Sequence, residues 1–82
     1  MYKVVADKQT DQQIATLPNV TLADFAEARA LLELHPWSAD SINSGNPEGP
    51  VRILAFGHAG MIIYLILEDQ RRVDLLEVLW AG

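Results

Sequence analysis

Val51-Arg52-Ile53-Leu54-Ala55-Phe56 is followed by Gly57-His58-Ala59-Gly60, and then by Met61-Ile62-Ile63-Tyr64-Leu65-Ile66-Leu67. The first run alternates, the tetrapeptide interrupts it, and the third run is apolar without a break. Glu68-Asp69-Gln70-Arg71 turns the chain, and Arg72-Val73-Asp74-Leu75-Leu76-Glu77-Val78-Leu79-Trp80 returns. Runs of strand length separated by turn chemistry predict a three-stranded antiparallel meander over 51–56, 61–67 and 72–80. An unbroken apolar run between two patterned ones predicts a middle strand that loses water on both faces.

Upstream of this ribbon the composition changes. Asn43-Ser44-Gly45-Asn46-Pro47-Glu48-Gly49-Pro50 is the richest turn chemistry in the chain, and residues 37–50 read as a long loop. Loops of that length in compact domains often carry function. Residues 22–35 predict a helix, built mainly from the good helix formers Ala, Leu, Glu and Arg. Leu22, Phe25, Ala28 and Leu32 recur at three- and four-residue steps and form a face suited to packing on a sheet. Thr21 reads as its N-cap, Asp24 suits the first turn, and Pro36 stops it. Leu31 and Leu34 widen the apolar arc beyond one stripe, which makes them candidates for contact with a partner. Asp7, Thr10 and Asp11 open a shorter helix over 11–17, closed by Pro18. Residues 2–6 form an opening strand, whose position in the sheet these patterns leave open. The expected fold is α+β: an N-terminal strand, two helices, then a three-stranded antiparallel C-terminal meander with the helices on one sheet face.

The 82 residues suit one domain spanning 1–82, and a hydrophobic content of 50% argues against disorder. No cysteine is present, so disulfides and thiolate metal sites are excluded. The two histidines, His35 and His58, are not at metal-ligand spacing; no metal and no cofactor are expected. The longest apolar run, 61–67, has strand length, far short of the roughly 20 residues that span a bilayer. With no signal-peptide pattern at the start, the expectation is a cytoplasmic protein without a membrane partner. Net charge is −5, with six dispersed cations: Lys3, Lys8, Arg29, Arg52, Arg71 and Arg72. Binding to phosphate backbones needs clustered Lys and Arg, so general nucleic-acid binding is disfavoured, while a small local phosphate site stays open.

Arg52 alternates with Val51, Ile53 and Ala55. If that trio faces the helices, the guanidinium lies on the exposed sheet face. There it either forks onto phosphate or pairs with Asp74 or Glu77 on a neighbouring strand. His58 is the one proton-exchanging side chain in the turn at 57–60, and with Arg52 it is a candidate catalytic residue. His35 reads as a helix-end residue. Tyr64 reads as core, its hydroxyl reaching a partner at the edge. Trp37 and Trp80 are either core lids or apolar anchors for a partner, alongside Leu31 and Leu34. The carboxylates of Glu68 and Asp69 read as solvated turn charges.

The order of these features resembles the RelE/ParE superfamily of bacterial toxins, the toxin halves of type II toxin–antitoxin pairs. The likeness rests on the opening strand, the helix ending Leu34-His35-Pro36, the polar loop and Val51-Arg52-Ile53-Leu54. It continues through the glycine-bearing turn, Met61-Ile62-Ile63-Tyr64, and the last strand ending Val78-Leu79-Trp80. The resemblance covers nearly the whole chain. It implies a toxin that inhibits a macromolecular target and is neutralised by a cognate antitoxin protein, with a homodimer as a further arrangement. Ribonuclease members of the family cut mRNA at the ribosome, and Arg52 matches their basic position on the second strand. Met61 stands where they often carry an arginine, and the residues up to Gly82 hold no match for their further catalytic side chains. The resemblance therefore leaves enzyme activity open, and points to inhibition by binding, as in members that act on DNA gyrase. A weak ribosome-associated mRNA endoribonuclease using Arg52 and His58, or a non-toxic interaction module of the same fold, are the alternatives.

Overall fold

The computed structural model describes residues 1–82. Strands β1 (Lys3–Ala6), β2 (Asp40–Ser41), β3 (Val51–Phe56), β4 (Gly60–Leu67) and β5 (Arg72–Trp80) form one sheet in the order β1-β5-β4-β3-β2. β3, β4 and β5 are the expected meander, and β1 joins β5 in parallel at its outer side. The short β2, paired with Arg52 and Ile53, is one strand more than the sequence pattern predicts. It lies inside the segment read as loop, where a two-residue pairing leaves no periodicity to read.

Helices α1 (Lys8–Ala15) and α2 (Leu22–Leu34) connect β1 to the rest; α2 lies over one face of the sheet, while α1 runs beside β5, where Gln13 accepts from Val78 N–H and Gln9 and Gln13 reach Glu77. Asp7 caps α1: its carboxylate accepts the Thr10 N–H at 2.9 Å and the Thr10 hydroxyl at 3.0 Å. Those bonds hold the Asp7 carboxyl below the ordinary carboxylate range. Thr21 does not cap α2. It is buried, and its hydroxyl donates back to the Pro18 carbonyl at 2.7 Å. Along α2, Phe25, Ala28 and Leu32 are the buried stripe, whereas Leu22 is partly exposed. Each large side chain in this stripe contributes on the order of 1.5–3 kcal/mol by leaving water.

The core is the layer between α2 and the sheet, filled from β4 by Ile62, Tyr64 and Ile66 and from β5 by Val73, Leu75 and Val78. A register shift in β5 sets Glu77 opposite Ile63 but Leu75 opposite Tyr64, so Leu76 is the extra residue of a bulge. Phe56 lies opposite Gly60, and a Cβ at Gly60 would fall 2.5 Å from the phenyl ring. The ring takes the space that a side chain there would need.

The two faces of β4 differ. Ile62, Tyr64 and Ile66 are buried, while Met61, Ile63, Leu65 and Leu67 face away from the helices and are exposed or half-buried. An apolar run with both faces covered was the expectation; here the chain covers one face only. Cross-strand register lays out the open face in rows. Val51, Leu65 and Asp74 form one, Asp40, Ile53, Ile63 and Glu77 the next, and Ala55, Met61 and Leu79 the third.

Candidate functional site

Arg52 sits on the covered side of β3, in line with Leu54 and Phe56, and only 7% of it is exposed. Val51, Ile53 and Ala55 face away from the helices, so the condition that would put the guanidinium on the exposed face does not hold. Arg52 Nε donates to the Gly49 carbonyl at 2.9 Å. Its Nη1 donates to Trp37 O at 3.1 Å and Ala39 O at 2.8 Å, and its Nη2 to Pro47 O at 3.1 Å. The Trp37 ring lies 4.9 Å from the guanidinium carbon, within cation–π range. Neither Asp74 nor Glu77 pairs with it: Asp74 is bound bidentately by Arg72, at 2.8 and 3.0 Å. One buried cation thus gathers four carbonyls from both ends of the 37–50 segment.

Tyr64, opposite Arg52 in the ladder, completes the clasp. It is fully buried, and its hydroxyl donates to the Pro36 carbonyl at 2.7 Å, as the expectation of a core tyrosine with a satisfied hydroxyl requires. Burial pushes its phenol up to about 12, against an opposing pull from the Arg52 charge. Beside Arg52 a hollow of about 500 Å³ is lined by Trp37, Asp40, Ser41 and Ser44 among others. The charge that Asp40 adds to its wall has the wrong sign for a phosphate.

A second network was not legible in advance. Glu68 accepts from the Tyr2 hydroxyl at 2.5 Å, from Trp37 Nε1 at 2.7 Å and from Arg71 Nη1 at 2.9 Å. Arg71 also lies over the Tyr2 ring at 4.2 Å. The Tyr2 and Trp37 donors, reinforced by Arg71, hold the Glu68 carboxyl below its ordinary range, and the same bond raises the Tyr2 phenol. From the sequence Glu68 reads as a solvated turn charge; its Tyr2 and Trp37 partners lie more than 30 residues away, where no local pattern points. Trp37 is therefore tied at its ring face to Arg52 and at its indole nitrogen to Glu68.

The remaining candidates are scattered. His58 packs edge-on against Trp80 at 5.1 Å, at the opposite end of β3 from Arg52. The two do not form one site. Trp80 also contacts Phe56 and closes that end of the core. Leu31 and Leu34 are 45% and 56% exposed on α2. What sequence reasoning missed is the open face itself: Met61, Ile63 and Leu65 read as interior, in a run expected to lose water on both faces, and they lie on the uncovered side.

This arrangement of a five-stranded sheet, a parallel first strand at its edge, two helices and an antiparallel meander matches the fold of RelE toxins. The chain superposes over its full length on a chain of the intact E. coli RelBE toxin–antitoxin complex, with a TM-score of 0.82, 11% identity and 99% of that chain covered. Against the isolated E. coli RelE toxin the TM-score is 0.81, with 9% identity, covering all of this chain and 86% of that one. The archaeal RelE–RelB complex from Pyrococcus horikoshii matches with a TM-score of 0.65 and 20% identity, over 99% of this chain and 96% of that chain. No protein-family model and no curated protein matches the sequence. No helix is long and apolar enough to cross a membrane.

Proposed function

We propose that this chain is the toxin component of a type II toxin–antitoxin pair, neutralised by a cognate antitoxin, and that it inhibits its macromolecular target by binding rather than by cutting RNA. The RelE fold supports the first half, since chains of this shape occur in complexes with RelB. The observation that carries the second half is the state of the arginines. Arg52 is buried on backbone carbonyls, Arg71 is held by Glu68, and Arg72 is held by Asp74. A phosphodiester bound across the open face would meet the carboxylates of Asp40 and Glu77, and no unpaired guanidinium. Transition-state stabilisation of phosphoryl transfer depends on cations converging on the developing charge; on this face Lys3 alone is unpaired, at the corner beside Arg72, with no second free cation beside it.

Two measurements test the reading. Induced expression of this chain alone should arrest bacterial growth, and co-expression of the product of an adjacent small gene should relieve the arrest. Unhindered growth would sink the toxin assignment in favour of an interaction module. Purified protein added to translating ribosomes should leave mRNA intact; robust codon-dependent cutting would overturn inhibition by binding.

A further inference from the structure

We infer that the open face of the sheet is a docking surface for a basic amphipathic helix of about 13 residues, supplied by a protein partner. The inference deepens the binding reading above by naming the chemistry of the occupant. Its basis is the pattern of the face. Val51, Ile53, Met61, Ile63, Leu65 and Leu79 form a continuous apolar strip along β3 and β4 and onto the end of β5, with Met61 43% and Leu79 42% exposed. Along β4 the strip runs from 61 to 67, which is about 20 Å at ~3.3 Å per strand residue, the length of about 13 helical residues. Extended apolar strips of this kind on soluble proteins mark interaction sites.

The charges at its margins select the occupant. Asp40 on β2 and Glu77 on β5 close the two ends of the row that runs through Ile53 and Ile63. Three strand spacings of ~4.8 Å put their backbones about 14 Å apart. A helix about 10–12 Å across fits between them, and Lys or Arg on its two flanks reaches either carboxylate while the stems cover apolar surface. Asp40 is exposed, and Glu77 is held only by the neutral amides of Gln9 and Gln13, so both charges stand uncompensated. Arg72 on this face is already neutralised by Asp74, and the free Lys3 beside it lies in the Leu67 row, four residues along β4 from the row that Asp40 and Glu77 close. A second copy of the chain fits worse: face to face, it would set these carboxylates against their equivalents, at an overall charge of −5 per chain.

The test uses two synthetic peptides with the same leucine stripe, one flanked by lysines and one by glutamates, titrated into the full chain by fluorescence anisotropy. The lysine-flanked peptide should bind at least tenfold tighter, and its advantage should shrink in Asp40→Asn and at high salt. Met61→Lys and Leu79→Lys, at exposed positions that the fold tolerates, should each weaken it tenfold or more, while Leu31→Lys on α2 should leave it unchanged. Equal affinity for both peptides, or loss on Leu31→Lys but not on Met61→Lys, would overturn the assignment. Dimerisation of the free chain abolished by Met61→Lys would assign the face to a second copy instead, and also overturn it. Growth arrest is scored separately: binding without arrest leaves the docking surface standing and removes the toxin reading, and arrest without binding does the reverse.

Discussion

The two faces of the sheet are made by alternate residues of the same strands, and they are used in opposite ways. On the covered face Ile62, Tyr64 and Ile66 are buried beneath the helices and the 36–50 segment, and the one cation present is saturated by the chain's own carbonyls. On the open face Met61, Ile63 and Leu65 are as apolar but have no cover; the charges flanking the strip are the acids Asp40 and Glu77, and the free cation Lys3 stands apart in the row of Arg72 and Leu67. An arginine beside a polar loop resembles a phosphate ligand only while its donors are free. Here the buried face has taken the arginine for structure, which leaves the other face to contact whatever this protein binds.

Removing the clasp tests that contrast most severely. Arg52→Ala leaves four buried or half-buried carbonyls without their donor, and it should lower unfolding stability by about 3–5 kcal/mol in urea denaturation. Amide exchange across residues 37–50 should accelerate well beyond that of β4. Arg52→Lys should recover less than half of the loss, because one ammonium cannot replace a planar fork of donors. Were Arg52 a phosphate ligand free in solution, its loss would move stability by no more than about 0.5 kcal/mol, and the contrast between the faces would collapse.

Smaller losses on the same face sharpen the picture. Gly60→Ala forces a methyl into the Phe56 ring and should cost about 1–3 kcal/mol. Tyr64→Phe strips the Pro36 carbonyl of its buried donor and should cost about 1–2 kcal/mol. The phenol also sets an alkaline limit. Its folded pKa of about 12 lies above the ordinary 10.0, so its contribution is intact below pH 10 and is lost as pH rises between the two values. Ultraviolet titration should show phenolate from Tyr64 only at the top of that range, and Tyr64→Phe should flatten the alkaline limb of the stability curve.

The meander, the long helix and the opening strand were legible because periodicity and turn residues are local signals. The misreadings of Arg52 and of β4 share one cause. Whether Arg52 faces the helices or solvent is decided by which face of β3 the 36–50 segment folds over, a tertiary choice that alternation in six residues leaves two-fold ambiguous. The same gap hid the open face: a wholly apolar β4 is consistent with burial on both sides, and only the placement of α2 and the 36–50 segment on one side shows that half of it lacks cover. The Glu68 network was illegible for a simpler reason, since its donors come from Tyr2 and Trp37, far along the chain.

That network predicts a modest acid effect. Hydrogen bonds from Tyr2 and Trp37 depress the Glu68 pKa, so the stabilisation exists above the ordinary carboxylate value and fades as pH falls through the lower folded one. Glu68→Gln should leave stability near pH 7 reduced and should flatten its decline on acidification. An unchanged acid limb, followed by tryptophan fluorescence, would mean that the contacts are not maintained in solution. Because the cluster is exposed and screened by salt, its effect should fall below those of Gly60→Ala and Tyr64→Phe.

The smallest effect is expected where the apolar surface is most conspicuous. Met61→Thr removes a large side chain from the centre of the Ala55, Met61 and Leu79 row, yet should shift unfolding stability by no more than about 0.5 kcal/mol. Met61 is 43% exposed, so little of its surface leaves water on folding, and threonine suits a strand as well as methionine does. Ile62→Ala, one position along and on the covered face, should lose about 2–5 kcal/mol, because Ile62 is fully buried and a cavity remains. A Met61→Thr loss near that of Ile62→Ala, measured in the same urea titration, would mean that the chain itself covers the open face in solution. A near-zero value means that selection for stability does not account for methionine there, which leaves contact with another molecule as the physical reason for an apolar side chain at that position.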